Sequence, residues 1–121
     1  MCKQKRSTMV KFSILLRRHP DMSHEDFVYY HKNKHAPLFT SLAEVQQHVR
    51  KYIQCHTLPV KMEGLPEPEY DGITELWFDD VESIAKVFIS AKYMEIIRPD
   101  EAKFLDLHQC GFLISTENAV L

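Results

Sequence analysis

Along residues 9–16 apolar and polar side chains alternate. Phe12, Ile14 and Leu16 interleave with Lys11, Ser13 and Leu15, and a period of two predicts a strand. His19-Pro20-Asp21 breaks it. Ser23 with Asp26 three residues on has the form of a capping box. Phe27, Tyr30, His31 and Lys34 then recur at the spacing of one helical face, which predicts a helix over 24–33. Pro37 is expected to end it, because the residue before a proline avoids the α region. Leu42, Val45 and Val49 share a face of a second short helical stretch, 40–49. Alternation returns over 51–58, with Tyr52, Gln54 and His56 on one side and Ile53 and Cys55 on the other. Three prolines and a glycine make 59–69 a loop.

The second half repeats the order. Residues 72–78 read as a strand, Asp79 with Glu82 as a helix cap, and Val81, Ile84, Val87 and Phe88 as the buried stripe of the helix that follows. Residues 92–106 read as irregular helical turns interrupted by Pro99, and 107–115 as the last strand. The sequence β-α-β-β-α-β is the split βαβ, or ferredoxin-like, arrangement of the α+β class. It places helices on one face of an antiparallel four-stranded sheet. Strands this apolar need cover on the other face as well, and a second copy related by a two-fold axis supplies it. The expectation is a homodimer that closes a dimeric α+β barrel. One domain over 9–116 is expected, with a flexible arm at 1–8 and a tail at 117–121.

Composition removes several function classes. Three glycines and the absence of GxGxxG or GxxxxGK[ST] argue against a nucleotide site. The net charge of −2 hides a split. Residues 1–60 carry ten Lys and Arg against four Asp and Glu, and residues 61–121 carry five against thirteen. The basic residues are dispersed, so no nucleic-acid partner is expected. Cys2, Cys55 and Cys110 form neither a paired framework nor a CxxC zinc site. There is no signal-like apolar start and no run of ~18 apolar residues to span a membrane, which points to a cytoplasmic protein without a membrane partner.

The candidate chemistry is carried by titratable groups at the edges of apolar runs, which are costly there unless paired or used. His35 stands before Ala36-Pro37, at the expected helix exit, and His31 lies one turn earlier. The HxxxH pair lacks the Glu of HExxH, so no metal is expected. Tyr52 and His56 share a strand face, and His108 opens the predicted last strand, which makes it a second acid/base candidate. Glu75 sits inside an apolar strand on the face of Ile73 and Trp77, where it must pair with a cation or be held protonated by burial. The expected catalytic residues are His35, Tyr52 and His108. The expected substrate contacts are His31, His56, Glu75, Trp77 and Phe39. No serine or cysteine has a nucleophile motif around it.

Two stretches together resemble the EthD domain family. One runs from Glu25-Asp26-Phe27 through Lys32-Asn33-Lys34-His35-Ala36-Pro37-Leu38. The other is Tyr70-Asp71-Gly72-Ile73-Thr74-Glu75-Leu76-Trp77-Phe78. The resemblance spans roughly residues 9–116 and is closest to small fungal enzymes that tailor aromatic polyketides. It implies a dimeric α+β barrel, with His35 on the family's motif histidine. It also implies a cofactor-independent lyase that removes carbon dioxide or water from an aromatic polyketide in secondary metabolism. A cofactor-free monooxygenase or polyketide cyclase on a similar substrate is the alternative within the superfamily, and a non-catalytic ligand-binding dimer is the third reading.

Overall fold

In a computed structural model the described residues, 9–121, form a four-stranded antiparallel sheet with helices packed on one face. The strands are β1 (Val10–Leu16), β2 (Val49–His56), β3 (Gly72–Phe78) and β4 (Gly111–Ser115), in the order β2-β3-β1-β4. The helices are α1 (His24–Tyr30), α2 (Ala36–Thr40), α3 (Ala43–His48), α4 (Val81–Phe88) and α5 (Arg98–Phe104). This is the ferredoxin-like α+β fold anticipated from the alternation of periods. The arm expected at 1–8 lies outside the described residues. Beyond β4, residues 116–121 adopt no helix or strand.

Register fixes which side chains meet the helices. Ile14 faces Thr74 and Phe12 faces Leu76 across the β1–β3 pair, while Tyr52 faces Leu76 and Gln54 faces Thr74 across β2–β3. Val10, Leu76 and Phe78 join Phe39, Val45, Ile84, Val87, Tyr93 and Ile97 in one apolar cluster. Leu16, Phe27, Phe104 and Leu105 form a second. Successive strand residues point to opposite faces, so Lys11, Glu75 and Trp77 lie on the side away from the helices.

Pro37 does not end the first helix. The backbone stays helical from His24 to Thr40, passing through a wide π-turn at His31–His35 in which the Ala36 N–H bonds the His31 carbonyl five residues back. Ala36 itself keeps α dihedrals (φ −59, ψ −47) although it precedes a proline. The wide turn restarts the hydrogen-bond ladder, so Pro37 falls in the first turn of α2, where a missing N–H costs nothing. Pro99 is accommodated in the same way. A second π-turn, Tyr93–Ile97, ends with the Arg98 N–H on the Tyr93 carbonyl, and α5 begins there. As far as Phe104, the region expected to be irregular is therefore ordered helix.

Smaller boundaries also differ from the sequence reading. Asp80, not Asp79, caps α4, accepting from the Ser83 N–H at 2.9 Å, while Asp79 pairs with Arg50. β2 starts earlier than expected, at Val49, and β4 later, at Gly111. Gly72 is held close to the neighbouring strand, because a Cβ there would stand 2.6 Å from the Cys55 carbonyl oxygen. Gly72→Ala is expected to destabilise the fold by about 1–3 kcal/mol, as overpacking of a tight contact does. Urea unfolding of the two proteins checks it.

Candidate functional site

Four rings spaced four residues apart, Phe27, His31, His35 and Phe39, stack in succession along the first helix. Their centroids are 5.5, 5.9 and 6.1 Å apart. The two histidines are buried, His31 at 1% exposed and His35 at 8%. Phe104 of α5 closes over them, 5.7 Å from the His31 ring and 4.9 Å from the His35 ring. Between these helices and the sheet lies a hollow of about 30 Å³ bordered by His31, His35, Phe39, Tyr52, Thr74 and Tyr93. A cleft of about 230 Å³ toward β4 shares Tyr93 and Glu101 with it and carries Phe12, Phe112 and Arg98 on its walls.

A buried imidazole needs partners. His35 Nδ1 lies 2.9 Å from Asp100 Oδ2, and Tyr30 donates its hydroxyl to the other oxygen, Oδ1, at 2.5 Å. Asp100 accepts on both oxygens, so His35 Nδ1 carries the hydrogen. Nε2 is left as the acceptor, without a hydrogen bond among the described residues. Burial, followed by the bond to Asp100 and its charge, pushes the Tyr30 phenol up to about 12, which keeps it a donor at neutral pH.

His31 is bonded at both nitrogens. Nδ1 is 3.0 Å from His56 Nε2, and Nε2 is 3.0 Å from Thr74 Oγ1. Burial first, then the neighbouring His35 and His56, pulls its pKa down to about 3, so its ring is neutral under ordinary conditions. His56 is pulled down as well, by burial and then by Lys32 and His24. Gln54 donates to the Tyr52 oxygen at 2.8 Å and to the His31 carbonyl at 2.9 Å. The Tyr52 O–H has no acceptor among the described residues and borders the hollow, and burial raises its pKa to about 12. Across the hollow, Tyr93 donates to Glu101 Oε2, while Arg98 Nε lies 2.9 Å from Oε1. Burial pushes Glu101 up, against the opposing pull of Tyr93, Arg98 and His35.

Of the residues singled out in the sequence, His31, His35, Phe39 and Tyr52 border this hollow, and His56 touches it through His31. Three others lie elsewhere. Glu75 and Trp77 occupy the opposite face of β3. There Glu75 pairs with Lys11 at 2.9 Å, and Trp77 sits under Lys11 and Lys51 and donates to Glu117. Strand parity separates them from Thr74 and Leu76, which do face the helices. His108 is exposed in a 3₁₀ turn, Leu107–Gln109, rather than at the start of a strand. Asp100, Tyr30, Thr74, Tyr93 and Glu101 were missed. Asp100 and Glu101 had a signal, two carboxylates directly after Pro99, that the reading of this stretch as irregular concealed.

A larger groove of about 580 Å³ lies by Arg18, His24 and Asp71 and shares no bordering residue with the hollow. His24 is half-buried there, with Nδ1 on Asp71 and Nε2 on the Thr57 carbonyl, so neither nitrogen is free. Asp71 also accepts from the Arg18 backbone and side chain, and thereby ties β1, α1 and β3 together. Among the described residues no group of three or more His, Cys, Asp or Glu is arranged to hold a metal ion. No helix among them is long and apolar enough to cross a membrane.

The fold and the enclosed histidines define a small α+β domain of ferredoxin-like architecture. The chain belongs to the EthD domain family, whose match runs over residues 19–108. No curated protein matches the chain. Among solved structures it is similar to an ethyl tert-butyl ether D (EthD) family protein from Bacillus halodurans. That protein is 20% identical, with a TM-score of 0.67 over 91% of this chain and 99% of the other. A dimeric protein of unknown function and ferredoxin-like fold from Bacteroides fragilis is 12% identical, with a TM-score of 0.63 over 91% and 97%. A hydroxynitrile lyase from Passiflora edulis is also 12% identical, with a TM-score of 0.59 over 95% and 98%.

The neutral His31 links stability to pH. In the unfolded chain it takes up a proton near its ordinary 6.5, and in the folded protein only near about 3. The unfolded state therefore holds more protons between these values. The stability that His31 contributes is complete above about pH 6.5 and is lost as pH falls toward 3. Denaturant unfolding across this window should show a steep loss in the wild type and a shallower one in His31→Gln, even though that variant is the less stable at pH 7.

Proposed function

We propose that the protein is a lyase that works by acid/base chemistry on an aromatic polyketide, releasing carbon dioxide or water without a cofactor. The observation that carries this reading is the chain Tyr30–Asp100–His35 ending at a hollow. It has a base whose tautomer is set by a carboxylate, and a carboxylate held in place by a phenol. His35 Nε2 takes a proton from the substrate (the carboxylic acid proton where carbon dioxide leaves, the proton on the carbon beside the carbonyl where water leaves), and the imidazolium so formed is stabilised by Asp100. The bond from carbon to the carboxyl group or to the hydroxyl then breaks, and the imidazolium returns its proton to the carbon left behind or to the departing hydroxide. Tyr52 donates its free O–H to the substrate oxygen that becomes an enol, where a donor in a dry site is worth most. The hollow admits only the reacting end of such a molecule. The rings rest against Phe12 and Phe112 in the adjoining cleft.

Three further points support this reading. The same fold carries a hydroxynitrile lyase in Passiflora edulis. The family match includes His35. The approach from the cleft is apolar and aromatic, as a flat polyketide requires. His108 has no part in this mechanism, and Glu75 and Trp77 belong to a different surface. That surface, with Ile53 and Leu113 38% and 47% exposed beside Ile73 and Leu15, is the face on which a second copy would lie in a homodimer. The dimeric relative from Bacteroides fragilis supports that arrangement.

The purified protein is to be incubated with an aromatic polyketide acid and the product weighed by mass spectrometry. A loss of about 44 or about 18 mass units is the expected outcome, from general acid/base chemistry on such a substrate. Uptake of oxygen in its place would favour a monooxygenase. His35→Ala should lower the rate by roughly 10²–10⁴-fold, the range for a positioned histidine. Asp100→Asn should do comparable harm by releasing the tautomer, and Tyr52→Phe less. Undiminished turnover in folded His35→Ala would overturn the reading.

A further inference from the structure

A reaction that moves protons inside a closed hollow has to exchange them with solvent. Beside the Tyr52–Gln54 pair, whose amide only donates and so relays nothing, three hydrogen-bonded routes lead away from the hollow. The first, His35–Asp100–Tyr30, is taken up with holding the base: Asp100 accepts on both oxygens, and a proton passed along it would cost His35 the tautomer that the reaction uses. The second, Tyr93–Glu101–Arg98, ends on a guanidinium, which stays protonated in proteins and cannot pass a proton on. The third begins at Thr74, on the wall of the hollow, and passes through the fully buried His31 to His56, a half-buried imidazole at the end of β2. Its links, Thr74 Oγ1 to His31 Nε2 and His31 Nδ1 to His56 Nε2, are both 3.0 Å.

We propose that Thr74, His31 and His56 form a proton wire that connects the hollow to solvent. The inference rests on the acid/base reading of the hollow and adds the path by which its protons are exchanged. Imidazole suits the middle of such a wire because it accepts at one nitrogen while it donates at the other. As a proton reaches the Thr74 oxygen, the hydroxyl hydrogen passes to His31 Nε2. The hydrogen on His31 Nδ1 passes to His56 Nε2, and His56 releases the hydrogen on its Nδ1 to water. One proton enters, one leaves, and each ring ends neutral with its tautomer exchanged. A proton running the other way restores the first arrangement, which is what a base that takes a proton and later returns it demands. The environment that disfavours a charged His31 supports this role, since a ring that trapped the proton would stop the wire.

The test uses the free protein and no substrate. Magnetisation transfer from water to the His31 ring N–H, observed in ¹⁵N-labelled protein, measures how fast that hydrogen exchanges. His56→Gln keeps a polar partner for His31 but cannot take up and release a proton, and His56→Asn is the second variant. Exchange at His31 should slow about tenfold or more in either variant whose backbone amide spectrum shows it folded. Thr74→Val, which removes the group that refills His31 Nε2, should slow exchange as well, and a wild-type rate in the folded variant counts against the wire. A wild-type rate in a folded His56 variant overturns the wire. An active His35→Ala protein would overturn the lyase reading and leave this measurement untouched, so the two fail separately.

Discussion

The stack of Phe27, His31, His35 and Phe39 along one helix is the constraint on which the interior depends. In a regular α-helix a spacing of four residues advances the side chain by about 40° at each step, so four such rings would wind away from the sheet. The π-turn at His31–His35 underwinds the helix in the middle of the series and takes back part of that drift. All four rings can then meet the same sheet. Both histidines are buried by this arrangement, and burying them obliges the structure to supply polar partners for their nitrogens, which it does for all but His35 Nε2. Asp100, Thr74 and His56 are those partners, and they come from three different elements.

The partners differ in kind, and the difference separates the roles of two histidines that look alike in sequence. His35 faces a carboxylate that accepts, so its far nitrogen is an acceptor facing space. His31 faces a hydroxyl and a second imidazole, each able to give or to take, so both its nitrogens are engaged and its charge is suppressed. In the proposed mechanism one ring holds a proton and the other passes it along. Burial acts on the surrounding phenols in the same sense, raising Tyr30 and Tyr52 and keeping them donors.

The succession of strands and helices along the chain and the helix faces were legible in the sequence because both depend on local periodicity. The assignment of Tyr52, Gln54 and His56 to one face, and of Glu75 and Trp77 to one face, was correct as parity. Parity does not say which face meets the helices. That is decided by the register of β3 between β1 and β2, a long-range pairing with no local trace, and it puts Glu75 on the far side beside Lys11. His108 was misplaced for a similar reason: its apolar neighbours look strand-like, but a 3₁₀ turn holds them. The two prolines misled in the other direction. Their local rule predicts an end to the helix, and the π-turn that defeats the rule is fixed by tertiary packing of His31, His35, Tyr93 and Ile97, all buried.

Those two π-turns also explain why the site lies where it does. The fold is built of two similar halves, and each half has the same irregularity, a wide turn whose last N–H reaches back five residues immediately before a proline. The first half supplies imidazoles from its wide turn. The second supplies Tyr93 from its wide turn and Asp100 and Glu101 from the helix that follows. Asp100 and Glu101 are adjacent, so about 100° of helix separates their directions. One reaches His35 and the other Tyr93 and Arg98, from a single turn of α5. Neither half holds the whole polar set. The hollow forms where His35 from one half meets Asp100 from the other, and its geometry is therefore as rigid as the packing of the two helices through Phe104.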